Sequence, residues 1–140
     1  MYLIGRSMGV FVAVLVLGAC SHRTDSGMIE VAKGLVPPES EILEVSDNSK
    51  GLTIEAGNYW AALQISDGGL GPALLEAVED RASAGGWDEQ YRCDLRDGVQ
   101  LGYVRDDLNV DVNVGTRDET VRGRIRIQRL GDGNPWPPDC

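Results

Sequence analysis

Arg122, Arg124 and Arg126 recur at every second position of Val121-Arg122-Gly123-Arg124-Ile125-Arg126. On a strand this spacing lines three guanidinium groups along one face. Guanidinium forks suit carboxylates and phosphates, which they grip through two parallel hydrogen bonds. The stripe therefore reads as a surface for an acidic partner, phospholipid headgroups or an anionic polymer. The alternative is a polar ladder in which Asp111 and its neighbours neutralise it from the adjacent strand. Those neighbours, Asp107, Asn109, Asp111 and Asn113, alternate in a way that suggests a calcium loop. An EF-hand loop needs Gly at its sixth position, where Val112 stands, and Leu108, Val110, Val112 and Val114 between the polar residues fit a strand. No metal site is expected there.

Other chemistry finds little support. Gly68-Gly69-Leu70-Gly71-Pro72 lies between a strand pattern and a helix pattern, where phosphate-binding loops also lie. Leu74 stands where the dinucleotide fingerprint needs its last Gly, and no Gly-Lys-Ser/Thr follows, so the segment reads as a connector. His22 is the only histidine, and neither Ser-x-x-Lys nor Gly-x-Ser-x-Gly occurs. Nothing in the spacing of the carboxylates selects a glycosidase pair. A non-enzymatic protein with no cofactor is expected. Trp87 reads as core, whereas Trp60 and Trp136 are either binding anchors or caps on a small core. Trp136 joins the Arg stripe as candidate partner surface.

The N-terminus is more specific. Arg6 is the only charged residue before Cys20, and Met8 to Leu17 is an apolar run of about ten residues. A transmembrane helix needs roughly twenty. The run closes on Leu17-Gly18-Ala19-Cys20. In these positions the chain resembles bacterial lipoproteins, whose lipobox is a Leu, two small residues and a Cys. The resemblance covers only the first twenty residues. It implies a signal peptide over residues 1–19 and lipidation of Cys20 as the first mature residue. It also implies a place in the bacterial cell envelope, outside the cytoplasm and anchored to a membrane by lipid. More than one acyl chain is needed for stable anchoring. Two cysteines then remain, Cys93 and Cys140, and an even pair outside the cytoplasm suggests a disulfide. Closing a loop of about fifty residues would contribute roughly 4 kcal/mol in the chain-entropy picture. A buried free Cys93 beside an unpaired Cys140 is the alternative.

The elements that must position these residues follow from periodicity. Residues 20–36 read as a lipidated tether, with a short helix over Met28–Lys33 inside it, and residues 37–140 as one domain beginning at Pro37-Pro38. Ile42–Val45, Leu52–Glu55 and Tyr59–Ile65 read as strands. Pro72 opens a helix whose apolar stripe is Leu74, Leu75, Ala77, Val78 and Ala82, and Gly85-Gly86 closes it. Four strands follow. Trp87, Tyr91, Cys93 and Leu95 share one face, the loop Arg96-Asp97-Gly98 needs positive φ at Gly98, and Val99, Leu101 and Tyr103 continue the face. A two-residue turn at Asp106-Asp107 sets Tyr103 against Val110, Leu101 against Val112 and Val99 against Val114. A loop over Gly115–Thr120 would set Val112 against Gly123 and Val110 against Ile125, with Arg122, Arg124 and Arg126 opposite Asn113, Asp111 and Asn109. The tail 131–140, ending Pro135-Trp136-Pro137-Pro138-Asp139-Cys140, is extended.

The expected fold is α+β, one antiparallel sheet of six or seven strands with one helix packed on one face, in the order β-β-β-α-β-β-β-β. Length agrees, since 140 residues make one domain. With 42% apolar and 25% charged residues the chain has enough core to fold. A net charge of −9 argues against nucleic acid as a partner. For function, the leading expectation is a lipid-anchored protein that binds another envelope component, either a protein or an anionic polymer. A small-ligand carrier or sensor with a pocket between helix and sheet is second, marked by any gap at Gly123. A hydrolase built on paired carboxylates is third.

Overall fold

The period-two alternation between residues 88 and 129 becomes four consecutive antiparallel strands in a computed structural model of the protein, which describes residues 26–47, 60–129 and 140. The elements are α1 (Ser26–Lys33), β1 (Ile42–Asp47), β2 (Trp60–Ser66), α2 (Ala73–Ala84), β3 (Asp88–Leu95), β4 (Gly98–Arg105), β5 (Leu108–Arg117) and β6 (Thr120–Arg129). All six strands join one antiparallel sheet in the order β1-β2-β6-β5-β4-β3. After β2, α2 crosses the sheet and delivers the chain to its far edge. The β3–β6 meander then returns step by step until β6 pairs with β2. The segment 52–55, expected as a further strand, lies outside the described residues.

One face of the sheet carries the core. Ala61, Leu63 and Ile65 from β2, Ile125 and Ile127 from β6, Val110, Val112 and Val114 from β5, and Leu101 and Tyr103 from β4 are buried there. Leu74, Val78 and Ala82 of α2 come from one stripe at a four-residue spacing and complete the layer. The end of α2 shows why two glycines stand there. The Gly86 N–H donates to the Ser83 carbonyl at 3.2 Å, the Trp87 N–H donates to Ala82 at 3.0 Å, and Gly86 has φ +73°. This is a Schellman cap, whose left-handed position favours a residue without a Cβ. Arg105 donates to the Gly85 carbonyl at 2.8 Å and lies 4.4 Å from the centre of the buried Trp87 ring. Its charge complements the negative end of the helix.

Four expectations need correction. Residues 26–36, expected within the tether, are core. Met28, Ala32 and Leu35 are buried, α1 packs on β2 and β6, and Arg81 of α2 donates to the Gly34 carbonyl at 2.8 Å. Among the described residues two helices, α1 and α2, therefore cover the sheet rather than one. Tyr91, Cys93 and Leu95 lie on the opposite face from Leu101 and Tyr103. A bulge between Glu89 and Tyr91 inserts one residue, after which Arg92 pairs with Leu101 and Cys93 with Gln100. The β3–β4 turn has two residues, Leu95 pairs with Gly98, and Gly98 does not adopt positive φ. Gly98 is required for a different reason, since a Cβ there would run into the Val114 carbonyl.

The fourth correction concerns β5 and β6. The turn at Asp106-Asp107 pairs Tyr103 with Val110, Leu101 with Val112 and Val99 with Val114, as the alternation implies. Beyond it, β5 runs past Gly115 to Arg117 and reverses in two residues, Asp118 (φ +50°) and Glu119 (φ +62°). Positive φ at both residues is the type I′ geometry that matches strand twist, here reached without glycine. Val112 consequently faces Ile125, and Val114 faces Gly123, a slip of two residues from the expected register.

Candidate functional site: a basic groove on the polar face

The face away from the helices is polar, and the two-residue slip decides what it holds. Arg122 faces Gly115, Arg124 faces Asn113 and Arg126 faces Asp111. On the other flank β2 places Ser66, Gln64 and Ala62 opposite the same three arginines. Neither neighbouring strand sets a carboxylate against Arg122 or Arg124. Both are exposed, and among the described residues neither guanidinium makes a hydrogen bond or ion pair. Of the expected neutralising ladder, only Arg126 keeps a carboxylate, Asp111, opposite it. There the guanidinium lies 5.1 Å from the centre of the half-buried Trp60 ring, a cation–π arrangement, and its Nε is buried with no hydrogen-bond partner among the described residues. Arg126 is thus a packed residue, whereas Arg122 and Arg124 are free to meet a ligand.

Those two arginines border a groove of about 560 Å³ at the end of the sheet where the β3–β4 and β5–β6 turns meet. Gln64, Asn113, Leu95, Arg96 and Arg117 line it, while Gly98 and Gly115 contribute only backbone to its wall. Leu95 is half exposed, at 50%. A Cβ on Gly115 would come within 2.7 Å of the Asp97 carbonyl, which also accepts the Thr116 N–H at 2.9 Å. The close approach of turn and strand therefore demands glycine. Among the described residues, four arginines against one carboxylate, Asp97, make the groove basic in an acidic protein.

Beside the groove, Tyr91 lies across Gly102, donates its hydroxyl hydrogen to Asp111 and accepts a bond from Gln100 Nε2 at 3.0 Å. Burial, and then the Asp111 carboxylate, raise the Tyr91 pKa. Asp111 is thus turned toward β3. On the core side, the Tyr103 hydroxyl is buried with no hydrogen-bond partner among the described residues, and burial, then the charges of Glu79 and Glu89, push it up to about 12.

The remaining sequence candidates resolve as follows. Cys93 is buried on the groove face, and the structure joins it to Cys140 with Cα atoms 5.6 Å apart. Cys20 and Trp136 lie outside the described residues. Of the alternating Asp and Asn residues, Asn109 is fully buried, and Asp107 pairs with Arg129. No group of three His, Cys, Asp or Glu side chains among the described residues could hold a metal ion. The Gly68–Gly71 loop spends its N–H groups on its own chain, since Gly69 and Gly71 donate to the Asp67 carboxylate at 3.3 and 3.2 Å. Gly123 leaves no gap between helix and sheet, because a Cβ there would lie 2.8 Å from Ile65 Cγ1.

Sequence reasoning missed Gln64, Leu95, Gly98 and Gly115 as groove residues. Gln64 becomes a neighbour of Arg124 only through the β2–β6 pairing, which joins residues about sixty apart, and no local pattern announces it. Among the described residues no helix is long and apolar enough to cross a membrane. Compared with protein-family models, curated proteins and solved structures, the chain matches none.

Proposed function

We propose that this protein is a lipid-anchored component of a bacterial cell envelope that acts by binding, not catalysis, and takes an anionic envelope component in the Arg122–Arg124 groove. One observation carries the reading: two exposed arginines, side by side on a strand, have no acidic residue opposite them on either flank in a chain of net charge −9. The acidic remainder of the surface repels other anions and so confines attraction to this end of the sheet. The lipobox Leu17-Gly18-Ala19-Cys20 supports the location. Outside the cytoplasm the Cys93–Cys140 pair would persist in oxidised form.

The test has two parts. The Cys20→Ala chain should lose lipid labelling and stay as uncleaved precursor or leave the membrane fraction, and labelled mature protein from that variant would refute the anchor. The R122Q/R124Q chain should fold normally and lose capture of anionic envelope material, with wild-type capture weakening as salt rises. Arg126→Gln serves as the internal comparison and should leave capture intact. Unchanged capture by R122Q/R124Q would refute the groove.

A further inference from the structure

We infer that the groove takes an acidic saccharide, with one oxyanion held between Arg122 and Arg124 and neighbouring sugar hydroxyls held by Gln64 and Asn113. The inference rests on the proposed binding function and names its ligand. Arg122 and Arg124 are two residues apart on β6, so their Cα atoms lie about 6.6 Å apart and their forks can close on one carboxylate or phosphate. Gln64 and Asn113 flank Arg124 on its two sides in a single row across the sheet, through the pairings Gln64 with Arg124 and Asn113 with Arg124.

Those two amides are what separates this groove from a plain anion site. An oxyanion offers acceptors only, so a site built for one alone has no use for the amide carbonyls. A hydroxyl both donates and accepts, and an amide answers it in both roles. A row that reads amide, guanidinium, amide therefore matches a charged group with hydroxyls on either side. Leu95, half exposed at one wall, offers an apolar surface for the C–H face of a sugar ring. Gly98 and Gly115 keep side chains out of the space between Leu95 and Arg122, in the cross-sheet row Leu95, Gly98, Gly115, Arg122. Among the described residues no aromatic ring lines the groove to offer a nucleobase a stacking platform. The volume of about 560 Å³ falls in the range of small-ligand sites.

The experiment is a calorimetric and NMR titration of the full lipidated chain in detergent micelles. The titrants are an oligogalacturonate, a hexose phosphate, the uncharged parent oligosaccharide, tripolyphosphate and anionic phospholipid vesicles. The oligogalacturonate or the hexose phosphate should bind more tightly than tripolyphosphate, and the comparison between them tells a carboxylate source from a phosphate one. The uncharged oligosaccharide should not bind. Gln64→Ala and Asn113→Ala should each weaken saccharide binding roughly five- to tenfold, the worth of one hydrogen bond, and leave tripolyphosphate binding unchanged. Tripolyphosphate or vesicles binding as tightly as either saccharide, or saccharide binding indifferent to both amide variants, would overturn the saccharide and leave the anion groove standing. Failure of every anion to bind would overturn both.

Discussion

Tyr91 and Gly102 offer the sharpest test of how the groove face is built. Gly102 pairs directly with Tyr91 across β3 and β4, and a Cβ at Gly102 would overlap the tyrosine ring. In the Gly102→Ala chain the ring must leave its seat. It then loses the bond to the Asp111 carboxylate, worth about 1.5–3 kcal/mol as a bond to a charged group, and the Gln100 bond, worth about 1 kcal/mol. Alanine returns about 0.5–1 kcal/mol by restricting the unfolded chain. A net loss of about 2–3 kcal/mol is expected, which for a domain of about 100 residues lowers the melting temperature by roughly 10–20 °C. Urea unfolding should show a lower midpoint at constant slope. In a Tyr91→Ala background no ring remains to displace, and the same Gly102→Ala change should be neutral or stabilise by up to about 1 kcal/mol. The cycle should therefore report a coupling of about 3 kcal/mol. Equal effects in the two backgrounds, or a loss below about 0.5 kcal/mol in the wild-type background, would refute the packing argument.

Two further outcomes follow from the core side of the sheet. Gly123→Ala should cost about 1–3 kcal/mol by overpacking, because the new Cβ meets Ile65 at 2.8 and 3.0 Å, and a neutral or stabilising result by thermal melt would restore a pocket between helix and sheet. Tyr103, pushed up to about 12 from 10.0, keeps its proton when folded at pH values where the unfolded chain has lost it. Its contribution is complete below pH 10 and falls away as pH rises through about 12. Urea midpoints across this window should fall less steeply for Tyr103→Phe than for wild type, and parallel slopes would refute the assignment.

The elements that could be read from sequence are those whose signal is local. The α2 stripe and its double-glycine end both repeat within a dozen residues, and the Asp106-Asp107 turn is fixed by alternation on either side of it. What failed was written elsewhere. The eight residues of α1, Ser26–Lys33, look like tether, because their buried side chains, Met28 and Ala32, pack on strands more than twenty residues away. The bulge at Gln90 reverses the faces of Tyr91, Cys93 and Leu95, yet it leaves the apolar–polar alternation after it intact. Period alone cannot show that one residue was skipped.

The candidate site was half legible for a related reason. A slip of one residue would have thrown Ile125 and Ile127 to solvent, so hydrophobic pattern forbids it. A slip of two leaves every inward residue inward, and the pattern is blind to it. On the outward face the same slip changes every partner. With a six-residue loop over 115–120, Asp111 would sit across from Arg124 and neutralise the middle of the stripe. With the two-residue turn at Asp118-Glu119, Asp111 moves to Arg126, Gly115 comes opposite Arg122, and a basic groove opens between β4, β5 and β6. The core has no stake in the choice, since it buries the same face either way. The charge of the groove is therefore set by the backbone geometry of one turn, where two residues other than glycine hold positive φ.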